Sequence, residues 1–136
     1  MKIHRKLLTV EQSDLDALNH VNNIRYLEWV QEISGEHWEL LAEPEWKTRY
    51  VWVVRSHAIE YLKSAVAGDP LALETFVQGS HGPLSERVVT VRHSQSGKTL
   101  ARCRTQWCLI DRESESPVRI PEAIRLCFEG GNGNPI

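Results

Sequence analysis

The spacing of hydrophobic positions changes twice along the chain. Ile3, Leu7, Leu8 and Val10 mark a first strand over Lys2 to Val10. From Asn22 to Leu41 or Ala42 the period becomes helical, with Ile24, Tyr26, Leu27, Trp29, Val30, Ile33, Trp38 and Leu41 on one broad face. Gly35 interrupts that pattern and predicts a bend, and Pro44 forbids further helix. Glu43 to Tyr50 reads as a linker, with Trp46 covering an edge or a pocket mouth. After Val51 the pattern is that of strands: Trp52 to Ala65, Leu71 to Gly79, Glu86 to His93 and Leu100 to Asp111. Their punctuation is Ala67-Gly68-Asp69-Pro70, Ser80 to Pro83 and Ser94 to Lys98. The last strand sets Ala101, Cys103, Thr105, Trp107 and Leu109 on one face and Arg102, Arg104 and Gln106 on the other. Pro121 to Phe128 predicts a short terminal helix, and 129–136 a flexible C-terminal tail.

One long helix followed by four strands, without β-α-β alternation, predicts an α+β fold and argues against a parallel sheet. The 136 residues suffice for one domain with its own core, placed at 1–128. A net charge of −2 provides no global basic field, so nucleic acid is not an expected partner. No apolar run approaches the ~18–20 residues of a membrane span. The start, MKIHRKLLTV, has no apolar signal core, and the expectation is a cytoplasmic protein away from the membrane. Cys103, Cys108 and Cys127 are an odd number without ligand spacing, which predicts reduced structural thiols, no metal and no cofactor.

The chemistry is concentrated in Ser13 to Trp29, SDLDALNHVNNIRYLEW. Asp14, Asp16, Asn19, His20, Asn22 and Asn23 fall just before or at the start of the helix, and Asn22 or Asn23 suits its N-cap. A helix N-terminus presents unpaired N–H groups and the positive end of the dipole, which is what a developing oxyanion needs. Asp16 can be a reacting carboxylate or a loop Asp closing an Asx turn. His20 can orient a carboxylate or simply pack in the loop. His57 and Tyr61 share a strand face with Ile59, where they would line a pocket or fill the core. Arg87, Arg92, Lys98, Arg102 and Arg104 gather on the hairpin strands, and Arg55 and Lys63 on the earlier one. Some of these could clamp phosphates, Arg87 and Arg102 being the candidates, or they could be a solvated charged face.

The run DLDALNHVNN followed by an aromatic-rich helix resembles the signature of hotdog-fold acyl thioesterases, the 4-hydroxybenzoyl-CoA thioesterase and YbgC-like group. It is also similar to plant acyl-ACP thioesterases in its D-x-D, H-V-N-N and Tyr spacing, and about Met1 to Asp111 fits. The resemblance implies a hotdog fold, one long central helix wrapped by a curved antiparallel sheet. It implies hydrolysis of an acyl thioester, acyl-CoA foremost, by a homodimer or homotetramer. Asp16 would be base or nucleophile, the Asn23 amide the oxyanion donor and His20 an assistant. Tyr26, His57, Tyr61, Arg87 and Arg102 would meet substrate. Two departures stand out: Leu18 replaces the plant enzymes' Asn, and Asn19 a Gly common in bacterial relatives. The turn Ser80-His81-Gly82-Pro83 also lacks the basic cluster of the best-studied branch. The rivals are an acyl-ACP thioesterase and a non-catalytic acyl-CoA-binding hotdog protein. A hotdog dehydratase would need a different placement of acid and histidine on the helix.

Overall fold

The computed structural model describes residues 1–130, so nearly all of the expected tail lies outside the described residues. Strand β1 (His4–Thr9) is followed by a 3-10 turn at Gln12–Asp14 and helix α1 (Asn23–Leu41). Then come α2 (Pro44–Arg49), β2 (Tyr50–Tyr61), β3 (Pro70–His81), β4 (Leu84–His93) and β5 (Thr99–Asp111). A two-residue strand β6 (Ser116–Pro117) and helix α3 (Glu122–Glu129) complete it. The sheet is antiparallel throughout in the order β1-β3-β4-β5-β2, with β6 against β5. This is the α+β hotdog arrangement, a curled sheet around one long helix.

The curl has local causes. Register shifts at Val54/Ser56 in β2 and Val77/Gly79 in β3 put an extra residue into one strand, and such bulges bend and twist the ladder. The concave face takes every second residue: Leu71, Leu73, Thr75 and Val77 from β3, and Ser85, Arg87, Val89 and Val91 from β4. Against it lie Tyr26, Trp29, Val30 and Ile33 of α1, which with Leu71, Leu73, Val89 and Val91 form the larger core. A second core joins Tyr50, Val77, Leu109, Ile120, Ile124 and Phe128. At its centre Trp38 stacks on Phe128 (5.7 Å) and Trp46 (6.3 Å) and meets Trp52 edge-on (5.7 Å).

Three expectations need correction. The linker at Glu43–Tyr50 is helix α2: Pro44 ends α1 but also opens α2, because its fixed φ and missing N–H suit a first helical position. Helix α1 runs unbroken through Gly35. The terminal helix extends to Glu129, one residue into the expected tail. Trp46, expected over an edge or a pocket mouth, packs on Trp38 and lines neither cleft described below.

Candidate active site

The loop before α1 is fixed by its own hydrogen bonds. Asp16 N–H donates to the His20 carbonyl (2.7 Å) and Asn19 N–H to the Asp16 carbonyl (3.0 Å), closing a tight turn. Asn19 sits at φ 61°, a left-handed conformation that Asn tolerates better than most residues. The Val21 N–H donates to the Ala65 carbonyl (2.9 Å), tying the loop to the segment after β2. Asn22 is the N-cap of α1, its side-chain oxygen accepting from Ile24 N–H at 3.0 Å.

Within this turn the Asp16 carboxylate points its Oδ1 at two amides, those of Leu18 (2.9 Å) and His20 (3.2 Å). The side chain is therefore held in an Asx-type arrangement, while Oδ2 takes no hydrogen bond among the described residues. Asp16 and Asn23 line one cleft of about 200 Å³ together with His20, Tyr26, Tyr61 and Lys63. Asn23 is the first residue of α1, and its N–H finds no acceptor among the described residues. A fixed carboxylate beside an open helix N-terminus can activate water or attack a carbonyl, with a backbone donor for the oxygen that becomes negative.

Tyr26 is buried, and its hydroxyl has no partner among the described residues. Burial, and after it the nearby Asp69 and Tyr61, pushes its pKa up to about 12, so the phenol stays neutral. Tyr61 packs edge-on against Tyr26 (ring centres 5.7 Å) and donates from its hydroxyl to the Asn23 carbonyl at 3.2 Å. The chain leaves β2 after Tyr61, and the Leu62 and Lys63 amides both bond the Leu100 carbonyl (2.8 and 3.1 Å). That turn sets Lys63 and Ser64 across from Asp16. Ser64 was not among the sequence candidates, because its approach depends on the Val21–Ala65 bond, which no local pattern encodes.

Other candidates lie elsewhere. His57 is not in the cleft: its Nδ1 is 2.7 Å from Thr105 Oγ1, its Nε2 is buried without a partner among the described residues, and burial lowers its pKa. Arg87 is not an exposed phosphate clamp. Strand alternation turns it onto the concave face, where it is 6% exposed beneath α1. Arg102 is exposed on the opposite, convex face, opposite Glu60 in register and apart from the cleft. Asp14, by contrast, is buried and bound to Arg25.

A family model described as the acyl-ACP thioesterase N-terminal domain matches residues 2–128. Over 120 residues the chain is 29% identical to the long-chain acyl-CoA thioesterase FadM of Escherichia coli (strain K12), covering 85% of this chain and 89% of that protein. Two solved structures share the fold. A thioesterase from Thermus thermophilus, complexed with coenzyme A and Zn, superposes with a TM-score of 0.82 at 23% identity, covering 97% of this chain and 96% of its own. The 1,4-dihydroxy-2-naphthoyl-CoA thioesterase Slr0204 from Synechocystis gives 0.82 at 14% identity, covering 98% of this chain and all (100%) of its own.

Proposed function

The chain belongs to the family of the acyl-ACP thioesterase N-terminal domain, and on that premise we propose that it hydrolyses acyl-CoA to the free acid and CoA in the cleft at the start of α1. The observation carrying this reading is the meeting of the anchored Asp16 carboxylate with the open Asn23 amide in one cleft. Attack on the thioester carbon moves the carbonyl electron pair onto oxygen, where the Asn23 N–H receives it. Collapse of that adduct breaks the carbon–sulfur bond, and the thiolate leaves and takes up a proton. Asp16 serves in one of two ways. As base it takes the proton of an attacking water. As nucleophile it forms an anhydride that water then opens. In both, the Leu18 and His20 amides hold Oδ1 in place and leave Oδ2 to react. His20 borders the same cleft and assists by orienting water, and Lys63 is the cation placed to meet an anionic carrier arm.

The acyl-CoA carrier is favoured by the named activity of the Escherichia coli relative. The family's own description favours the second reading, an acyl carrier protein as donor. The assembly proposed is a homodimer or a homotetramer, because among the described residues β2 pairs only with β5 and offers its other edge, twelve residues long, to a second copy.

The deciding experiment is thiol release from short, medium and long acyl-CoA, benzoyl-CoA and phenylacetyl-CoA, for the wild type beside Asp16→Asn. Turnover that falls about 10²-fold or more in the variant supports the reading. Turnover that survives the substitution removes Asp16 from the chemistry. Absence of turnover with both acyl-CoA and acyl-ACP would leave a binding protein.

A further inference from the structure

Beneath the second half of α1 lies another cavity, of about 270 Å³, distinct from the Asp16 cleft. Its walls are mainly apolar, with Trp38, Tyr50, Trp52, Trp107, Ile124 and Phe128 among them. Into this lining the sheet delivers Arg87, more than nine-tenths buried. Its Nη1 donates to His37 Nδ1 at 2.9 Å and to Thr75 Oγ1 at 3.1 Å. Both partners are uncharged. Burial first, then the Arg87 charge, His4 and Lys2 bring the His37 pKa down to about 4, and the Thr75 hydroxyl spends its own proton on the Val88 carbonyl (2.9 Å).

No carboxylate pairs with the guanidinium among the described residues, and its Nε and Nη2 take no hydrogen bond there. The cavity's own acids bond other residues of its lining and not Arg87. Glu129 accepts from the Ser80 hydroxyl, and Glu39 pairs with Lys47 (3.3 Å). Trp107 adds a buried indole N–H without an acceptor among the described residues. Of the other cations in the lining, Lys47 pairs with Glu39, and Arg112 and Arg125 are exposed to solvent, so Arg87 is the one whose charge is buried. A buried charge without a counter-charge is costly, and an apolar residue of similar size is commonly as stable or more so. Arg87 suits a ligand that brings the missing anion in on an apolar body.

We propose that this cavity binds the carboxylate of an apolar organic acid, with Arg87 as its counter-ion. The carboxylate has two possible sources: a free acid, or the far end of an ω-carboxyacyl thioester. The second rests on the hydrolase reading, and the binding itself does not.

The test is calorimetric titration of the full chain with octanoate and, as the neutral match, 1-octanol. The wild type should bind octanoate at least tenfold more tightly, and Arg87→Met should abolish that preference while still binding octanol. Gly35→Leu is the second variant. Gly35 lines the cavity, a Cβ there meets nothing within 4 Å, and leucine favours helix, so it should block both ligands without unfolding the chain. Equal affinities in the wild type, a preference that survives Arg87→Met, or binding unaffected by Gly35→Leu would each overturn the proposal. Thiol release from octanoyl-CoA and its ω-carboxy counterpart then separates the sources. An Arg87-dependent preference for the ω-carboxy substrate identifies the substrate's far end, and equal rates beside intact octanoate binding identify a free acid. Binding is read without turnover, so an inactive protein would defeat the hydrolase reading and leave this one standing.

Discussion

Arg25 donates from Nε to Asp14 Oδ1 at 2.9 Å, and this pair joins the loop before α1 to the helix's first turn. The other Asp14 oxygen accepts from the Glu11 amide (2.8 Å), and its backbone carbonyl accepts from the Asn22 amide (2.9 Å). Asp14 thus sets where the loop ends and where the helix begins, without entering the cleft. Asp14→Ala should lower stability by about 1–3 kcal/mol in urea unfolding, since a buried acceptor is lost and its donors are left behind. Turnover measured well below the unfolding temperature should fall less than in Asp16→Asn. An equal or larger fall would make Asp14 part of the chemistry.

For Asp16 the two substitutions should separate. Asp16→Asn keeps an oxygen for the Leu18 and His20 amides and removes only the charge. Its melting temperature should stay within a few degrees of the wild type, while kcat drops by roughly 10²–10⁴. Asp16→Ala loses the turn's acceptor as well, so its thermal scan should also shift down. Differential scanning calorimetry beside the thiol-release assay checks both.

Asn22 caps α1 through a single side-chain bond to the Ile24 amide. Asn22→Ala should cost about 1 kcal/mol, and Asn22→Gly only a few tenths, both read from denaturant midpoints.

The acid sensitivity of the fold should run through His37. In the folded protein its ring stays neutral down to about pH 4, against an ordinary value of 6.5. Between those values the unfolded chain holds more protons, so this residue's contribution to stability falls as pH drops from 6.5 towards 4 and is constant above 6.5. His37→Gln keeps an acceptor for Arg87 and has nothing to titrate. From pH 7 to pH 5 the wild type should lose about 1–2 kcal/mol more than the variant. Parallel urea curves for the two proteins would show that His37 does not carry the effect.

Much of this architecture was legible from periodicity. The β5 alternation corresponds closely to buried and exposed positions. On α1, Tyr26, Trp29, Val30 and Ile33 are buried as expected, whereas Ile24 of the same expected face is exposed, and Ser34 and His37 are buried polar residues that an apolar period does not mark. Two kinds of feature were not legible. Helix α2 was hidden because a proline reads equally as a stop and as a start. The inward turn of Arg87 ran against the rule that charges face water, and only strand register, opposite Val77 and Thr105, decides it. The motif loop could be read as chemistry, but Lys63 and Ser64 reach it through a contact more than forty residues away in sequence.

Trp38 touches Trp46, Trp52 and Phe128 at ring separations of 5.7–6.3 Å, bringing together α1, α2, β2 and α3 around the Arg87 cavity. Indoles this close absorb as a coupled set rather than as independent chromophores. The exciton couplet of the indoles' strong far-ultraviolet transitions, read by circular dichroism, should therefore register small changes in their mutual angles. Filling of that cavity should then be readable from the protein's own indoles, with no label attached.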